Sequence, residues 1–326
     1  MRYLKTIFCL AFAASTLMLL SGCERHSKSE TYYLVAANVK LPYWQSAHAG
    51  FAQAAGEYNV KAIMRGPDTF DPQGEVNEFR QAVAAKPSGI LISVTDANLL
   101  GPEIDSAIQA GVPVITMDSD APNSHRLYFV GTNNLQAGRL GGQRLIQKLN
   151  GKGNVVFFSM PGQPNLDERL KGYKDVLADH PQIKVVEVFN IKGDSGTAFD
   201  RAGQLLGKKG ADQVNAFVCL EASSGKDVAE VLKREHASDR VLIAMDVDPD
   251  TLRGIREGSI DSTISQKPFT MGYVGLKSLD DIHHALPNPI RTDYNLDPHS
   301  PYPVFIDTGT ALVDKSNVDA MSQQPK

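Results

Sequence analysis

Val112-Pro113-Val114-Ile115-Thr116-Met117-Asp118-Ser119-Asp120 is a short apolar run that stops abruptly at carboxylates. It follows residues 104–111, which read as a helix end closed by Gly111. A buried parallel strand has this form, and an open α/β sheet places its ligand groups at the C-terminal ends of such strands. The pattern returns as Arg240-Val241-Leu242-Ile243-Ala244-Met245-Asp246-Val247-Asp248. Two distant strands that both end Met-Asp-x-Asp imply two half-sites, one in each of two similar lobes, with Asp118 and Asp246 facing each other across a cleft. Aspartates in this position also serve as helix caps; the strand-end placement favours the cleft.

Outward from these strands the chain alternates. Strands are expected at 32–37, 60–64, 89–94 and 127–130. Helices are expected at 43–58, 72–85 and 99–110, the last capped by Asn98. Gly131-Thr132-Asn133-Asn134 interrupts the rhythm, and the unit then starts again. The second half carries strands at 154–159, 183–189, 214–220, 241–245 and 260–265. Its helices fall at 135–149, 166–178, 197–207, 223–234, 251–257 and 269–286. Short strands at 304–306 and 310–313 close the chain after a proline-rich stretch. Such alternation means parallel sheets covered on both faces, so the fold class is α/β, with two doubly wound parallel-sheet lobes joined near Asn133. Periodicity does not say which lobe receives the last helix and strands.

Polar groups gather where strands end: Asn38 with Tyr43 and Trp44, then Asp96 and Asp118, and in the second half Glu221, Asp246 and Gln266. A sugar ring has two apolar faces and a rim of hydroxyls. Aromatic rings cover the faces, while carboxylates and amides bond the rim.

The 326 residues carry a formal net charge of −4 and no sustained Lys/Arg run, which gives no nucleic-acid footprint. Neither Gly-x-Ser-x-Gly nor His-Glu-x-x-His occurs, and Ser224-Gly225-Lys226 lacks the upstream glycine of a phosphate loop. Asp280-Asp281-Ile282-His283-His284 reads as an exposed helix end, because adjacent histidines point to different sides. No metal, cofactor or catalytic residue is expected.

At the N-terminus, Arg2 and Lys5 precede an apolar stretch at 7–20, too short to span a membrane. Leu20-Ser21-Gly22-Cys23 follows directly and resembles the bacterial lipoprotein signal, in which the cysteine is lipidated and becomes residue one. The resemblance implies a signal peptide over 1–22, a lipid on Cys23, a tether over 23–30, and a periplasmic or cell-surface protein anchored to the membrane. Cys9 leaves with the signal and Cys219 stands alone in an apolar run, so no disulfide is expected.

From about residue 32 to 313 the chain resembles the periplasmic sugar-binding proteins of ABC transporters, the ribose-binding type. The resemblance rests on Pro42-Tyr43-Trp44, the run from Gly111 to Asp118, Gly131-Thr132-Asn133-Asn134 with Gly138, Glu168-Arg169 with Gly172-Tyr173, Met245-Asp246, and Ser262-Thr263-Ile264-Ser265-Gln266. It implies the periplasmic binding protein type I fold, with three crossings between lobes and hinges near Thr132 and Asn133, near Lys267 and near Ile290. The implied lobes are 31–132 plus 267–290 and 133–266 plus 291–318, followed by a tail over 319–326. The aromatic pair would pack on the sugar, and Asp118, Asp246 and Gln266 would bond its hydroxyls.

Several positions depart from the ribose binders. Leu41 stands for an asparagine, Ser119 and Asp167 for arginines, and Leu220 followed by Glu221 for an asparagine. The expected ligand-binding set is therefore Asn38, Tyr43, Trp44, Asp118, Ser119, Asp167, Glu221, Asp246 and Gln266, with Arg169 read as structural. Losing two cations and gaining carboxylate points to a sugar or polyol other than ribose. That ligand would bear an amine unless Lys40, Arg65 or Lys267 neutralises the acids.

The implied function is a monomeric solute-binding lipoprotein that delivers its ligand to an ABC transporter permease. A receptor of the same fold that signals to a membrane sensor is the alternative. A transcriptional regulator would need a helix-turn-helix ahead of the first lobe, and a glycosidase would need turnover of glycosides.

Overall fold

The structure, a computed structural model, describes residues 25–285, 290, 294 and 296–321. The expected signal peptide, the lipidation site Cys23 and the end of the tail lie outside the described residues. No described helix is long and apolar enough to cross a membrane.

Two six-stranded sheets carry the fold. The first contains β1 (Thr31–Val35), β2 (Lys61–Arg65), β3 (Gly89–Ile92), β4 (Val114–Met117), β5 (Phe129–Gly131) and β11 (Phe305–Asp307). The second contains β6 (Gly153–Ser159), β7 (Ile183–Asn190), β8 (Ala216–Cys219), β9 (Val241–Met245), β10 (Ser262–Ser265) and β12 (Ala311–Asp314). Their orders are β11-β5-β4-β3-β1-β2 and β12-β10-β9-β8-β6-β7. Replacing each strand by its counterpart turns one order into the other. All pairings are parallel except β10 with β12.

The central strands are buried throughout, as helices on both faces require: β3, β4 and β8 show no exposed position. In the first lobe these are α1 (Pro42–Tyr58), α2 (Pro72–Ala84) and α3 (Ala97–Gln109). In the second they are α4 (Asn134–Lys148), α5 (Pro164–Leu177), α6 (Ser195–Leu206), α7 (Ser224–Arg234) and α8 (Pro249–Glu257). The long α9 (Pro268–His284) packs on α1 and so belongs with the first sheet. The cap of α3 is Asp96, which accepts from the Asn98 and Leu99 N–H groups. Asn98 lies inside that helix, a correction to its reading as the cap.

The third crossing lies later than the resemblance implied. β11 pairs with β5, so Phe305–Asp307 belongs to the first sheet, not to the second lobe with the rest of 291–318. The chain crosses between Asp307 and Ala311. There the Thr308 N–H and hydroxyl both donate to the Gly131 carbonyl, at 2.8 and 3.0 Å. The Thr310 hydroxyl donates to the Ser265 carbonyl at 2.8 Å, and the Asn133 N–H reaches Asp307 at 3.3 Å. The three crossings are thus laced side by side, with Thr132 buried among them and Lys267 exposed at the start of α9. The expected tail also begins as structure. A short α10 (Val318–Met321) is held where Arg256 meets Asp319 at 3.0 Å.

α4 and α5 meet backbone to backbone. A Cβ placed on Gly138 would lie 2.0 Å from the Arg169 carbonyl oxygen and 2.9 Å from the Gly172 Cα. Neither neighbour is a flexible side-chain end, so the helices must separate. Gly138→Val is expected to cost about 3 kcal/mol by overpacking, read by chemical denaturation. A loss below about 1 kcal/mol would show that the helices can part freely.

Candidate functional site

The decisive residues stand at equivalent points of the two sheets. Asp118 follows β4 and Asp246 follows β9, and both adopt positive φ, 61° and 68°. Aspartate is among the few non-glycine residues that tolerate this region. The turn ends the strand and leaves the carboxylate at the sheet's C-terminal edge, where α/β folds gather ligand groups. The same pair of strand ends explains the second acid of each Met-Asp-x-Asp. Asp120 is bridged by Arg126 at 2.5 and 2.6 Å, and Asp248 caps α8 through the Asp250 and Thr251 N–H groups.

Both leading aspartates line one cavity of about 500 Å³ between the lobes. Asn38, Tyr43 and Trp44 from the first lobe and Glu221 and Gln266 from the second also line it. Trp44 is nearly buried, with the Tyr43 ring edge-on at 5.1 Å. Asn38 contributes a half-exposed side chain whose Oδ1 already accepts from the Lys40 N–H at 3.0 Å.

Two expected residues fall outside. Ser119 is buried but does not line the cavity, and its hydroxyl has no partner among the described residues. Asp167 is exposed, accepts from the Gly162 N–H at 2.9 Å, and steadies the turn before α5. The side chain one step along the strand or helix points away, which sequence spacing alone did not resolve.

The residue that sequence reasoning placed elsewhere is Arg169. It is 3% exposed, from α5, and its guanidinium donates to Asn134 Oδ1, the Leu220 carbonyl and Gln266 Oε1, each at 2.8 Å. It stands 4.0 Å from Asp118. Gln266 in turn donates its Nε2 to Asp246 at 3.1 Å. One cation thus serves both carboxylates, directly on one side and through an amide on the other. Lys40 and Arg65, considered for this role, pair with Asp68 at 3.5 Å and Glu78 at 3.1 Å instead.

Asp118 also accepts from the Tyr43 hydroxyl at 2.7 Å, Ser93 at 3.4 Å and Asn165 at 3.1 Å. Asn165 lies in the second lobe, so this bond crosses the cleft. Burial raises the Asp118 pKa above the ordinary carboxylate value, while Arg169 and these donors pull it down. Asp246 has fewer donors, and burial pushes it to about 7. Asn165 and Gln163 were not singled out from the sequence. They flank Pro164 at the start of α5, and each keeps a buried side-chain oxygen without a donor among the described residues.

Glu221 does not carry an unpaired charge. Its carboxylate accepts from the N–H and hydroxyl groups of both Ser223 and Ser224, at the start of α7. At the mouth, Gly193 of the second lobe abuts Phe70 of the first; a Cβ there would lie 2.4 Å from Phe70 Cβ. The lobes are therefore drawn together over the cavity. Cys219 is buried in the second core, where burial pushes its thiol well above its ordinary pKa.

Residues 32–284 match the periplasmic binding protein domain. The chain belongs to the periplasmic binding protein family. Among solved structures, this periplasmic binding protein is similar to a sugar ABC transporter (sugar-binding protein) from Bacillus halodurans, at 34% identity and a TM-score of 0.76 over 90% of this chain and 99% of that one. It is also similar to AraP, an arabinose binding protein from Geobacillus stearothermophilus, at 31% identity and a TM-score of 0.73 over the same shares. A curated relative, the xylose/arabinose-binding protein XylF of Sulfolobus acidocaldarius, is 27% identical over 85% of this chain and 69% of its own length. The two-lobed type I architecture is shared with these structures.

Proposed function

We propose that this periplasmic binding protein captures a neutral sugar or polyol between its lobes and delivers it to the permease of an ABC importer. One observation carries the reading. Asp118 and Asp246, each turned out of its strand by a positive φ, enter the same cavity from opposite lobes with Arg169 between them. Carboxylates accept sugar hydroxyls, the guanidinium donates to oxygens, and the donor-free oxygens of Asn165 and Gln163 take further hydroxyls. Trp44 and Tyr43 supply the apolar face. A ligand touching both lobes stabilises the closed form over the open one by its differential contacts. The names of the relatives support a sugar as ligand and an importer as partner.

Arg169 answers the charge of the acids, and Glu221 is occupied by its own helix start, so the ligand needs no amine. The sequence argument for an amine rested on acids without a cation. We further propose that the mature chain begins at a lipidated Cys23, outside the cytoplasm, and acts as a monomer.

A thermal-shift panel tests the sugar reading. A neutral aldose or polyol at a hundredfold excess over its Kd is expected to stabilise the protein by about 2.7 kcal/mol, and the matching amino sugar to do less. Response to the amino sugar alone would restore the amine; silence across neutral sugars would remove the reading. Trp44→Ala is expected to weaken the responding sugar by about 2 kcal/mol, roughly thirtyfold in Kd by calorimetry. Unchanged affinity would take the indole out of the site.

A further inference from the structure

The end of the first lobe far from the cavity holds a second cluster of polar groups. The cavity lies past the C-terminal ends of the strands, whereas residues 25–30 precede β1 and fold back on the last turn of α9. That helix has 17 residues, about 25 Å at 1.5 Å per residue, and separates Lys267 at the crossing from His284.

Asp280 is fully buried in this turn, and a buried carboxylate requires partners. Its Oδ2 lies 2.9 Å from His26 Nε2, and its Oδ1 accepts from the Tyr32 hydroxyl at 3.1 Å. His284 Nδ1 faces the Asp280 backbone carbonyl at 2.8 Å. In the neutral ring a nitrogen against a carbonyl oxygen carries the hydrogen, which leaves Nε2 as the lone-pair nitrogen available to a metal. That Nε2 is 3.6 Å from Glu30 Oε1. Glu30 Oε2 is buried and has no hydrogen-bond partner among the described residues. One donor atom from each of His26, Asp280 and His284 falls within 4.8 Å of the other two. The histidine pair at the end of α9 is therefore not the plain exposed helix end that its sequence suggested, because His26, 258 positions earlier, supplies the second imidazole.

We propose that His26, Asp280 and His284, with Glu30 as the fourth donor, bind zinc or a similar divalent transition-metal ion that clamps the entry segment to α9. Two imidazoles and two carboxylates form a donor set that zinc accepts in tetrahedral geometry. Zinc bonds of 2.0–2.2 Å put donor atoms about 3.4 Å apart, so His26, Asp280 and His284 converge by roughly an ångström, and Glu30, which lies outside that group of three and nears it through His284, swings further. Glu30 and His26, on the entry segment, supply the movement. His284 and Asp280 are held in orientation, by the Asp280 carbonyl and the Tyr32 hydroxyl, in the way ligand residues of metal sites usually are. The His26 ring is also stacked on Tyr58 at 4.5 Å. Magnesium and calcium are disfavoured because both prefer oxygen donors alone. The clamp stands on its own geometry and needs neither the sugar reading nor the lipid anchor.

The test is calorimetric titration of zinc chloride into the untagged chain, carrying Cys23→Ser to remove a competing thiol. One zinc per chain is expected, with a raised melting temperature and slowed amide exchange across residues 25–30. His26→Ala and His284→Ala should each weaken zinc at least tenfold and leave sugar binding unchanged. Absence of a zinc isotherm in a cooperatively melting protein would overturn the proposal. So would stoichiometric binding that survives both substitutions, or exchange across 25–30 that ignores zinc. Should either alanine variant fail to fold, His26→Gln and the exchange measurement on the parent chain decide the matter.

Discussion

Arg169→Leu is expected to abolish measurable sugar binding, by a hundredfold or more in Kd, and to destabilise the protein by about 3–5 kcal/mol, the usual cost of leaving buried charge without its partner. The guanidinium does two things at once. Its three hydrogen bonds tie α5 to Asn134, to the end of β8 and to Gln266. Its charge holds down the pKa values of Asp118 and Asp246, which burial otherwise raises. Without it the two acids must take up protons or the lobes must part to hydrate them. Arg169→Lys separates the two roles. An ammonium keeps the charge but cannot reproduce the planar fork that reaches three acceptors. Lysine should therefore recover part of the stability and little of the sugar affinity. Denaturant unfolding and calorimetry read both quantities. A leucine variant that still binds sugar within about threefold of the parent would show that Arg169 only braces the second lobe.

Much of this site could be read from the chain, and the parts that could not share a cause. Strand ends are visible in sequence because a strand-like run that stops at an acid or amide needs no partner to be recognised. Asp118, Asp246, Glu221 and Gln266 were all found that way, and all line the cavity. Positions on α5 were harder. That helix begins at Pro164 and enters the cleft with Asn165 and Arg169, four residues apart on one face, while Asp167 faces outward. Helical spacing predicts that Asn165 and Arg169 share a face, but only tertiary packing says which face looks into the cleft. The sequence reading took Asp167 for the cleft and Arg169 as structural; Arg169 lines the cavity while bonding protein groups, and Asp167 does not line it. The third crossing is hidden from the sequence for a different reason. A three-residue strand such as β11 gains its identity from β5 beside it, and nothing local in Phe305–Asp307 names that neighbour. His26 and His284 are likewise brought together by chain reversal, which no motif spacing encodes.

The acids should also make the ligand-free protein's stability depend on pH in a direction opposite to the usual one. Burial raises the Asp246 pKa from 3.8 to about 7, with Asp118 and Asp248 adding to the rise and Arg169 and Gln266 opposing it. The folded form therefore holds a proton that the unfolded chain has released between about pH 4 and pH 7. Where the folded state binds more protons, stability falls as pH rises. The contribution is present in full below pH 4 and is gone once pH passes 7. The span from 3.8 to about 7 sets a ceiling of about 4 kcal/mol. Glu75, buried on α2 and pushed to about 8 mainly by burial, acts with the same sign. Melting midpoints of the ligand-free protein should thus rise from pH 8 to pH 5. Asp246→Asn should flatten part of that slope, and adding Glu75→Gln should flatten more. Sugar affinity should move the other way over the same window, because a protonated Asp246 is a poorer acceptor for hydroxyls. If the parent and Asp246→Asn give superimposable melting profiles from pH 5 to 8, Asp246 is ionised in the folded protein throughout, and the cleft is wetter than its burial implies.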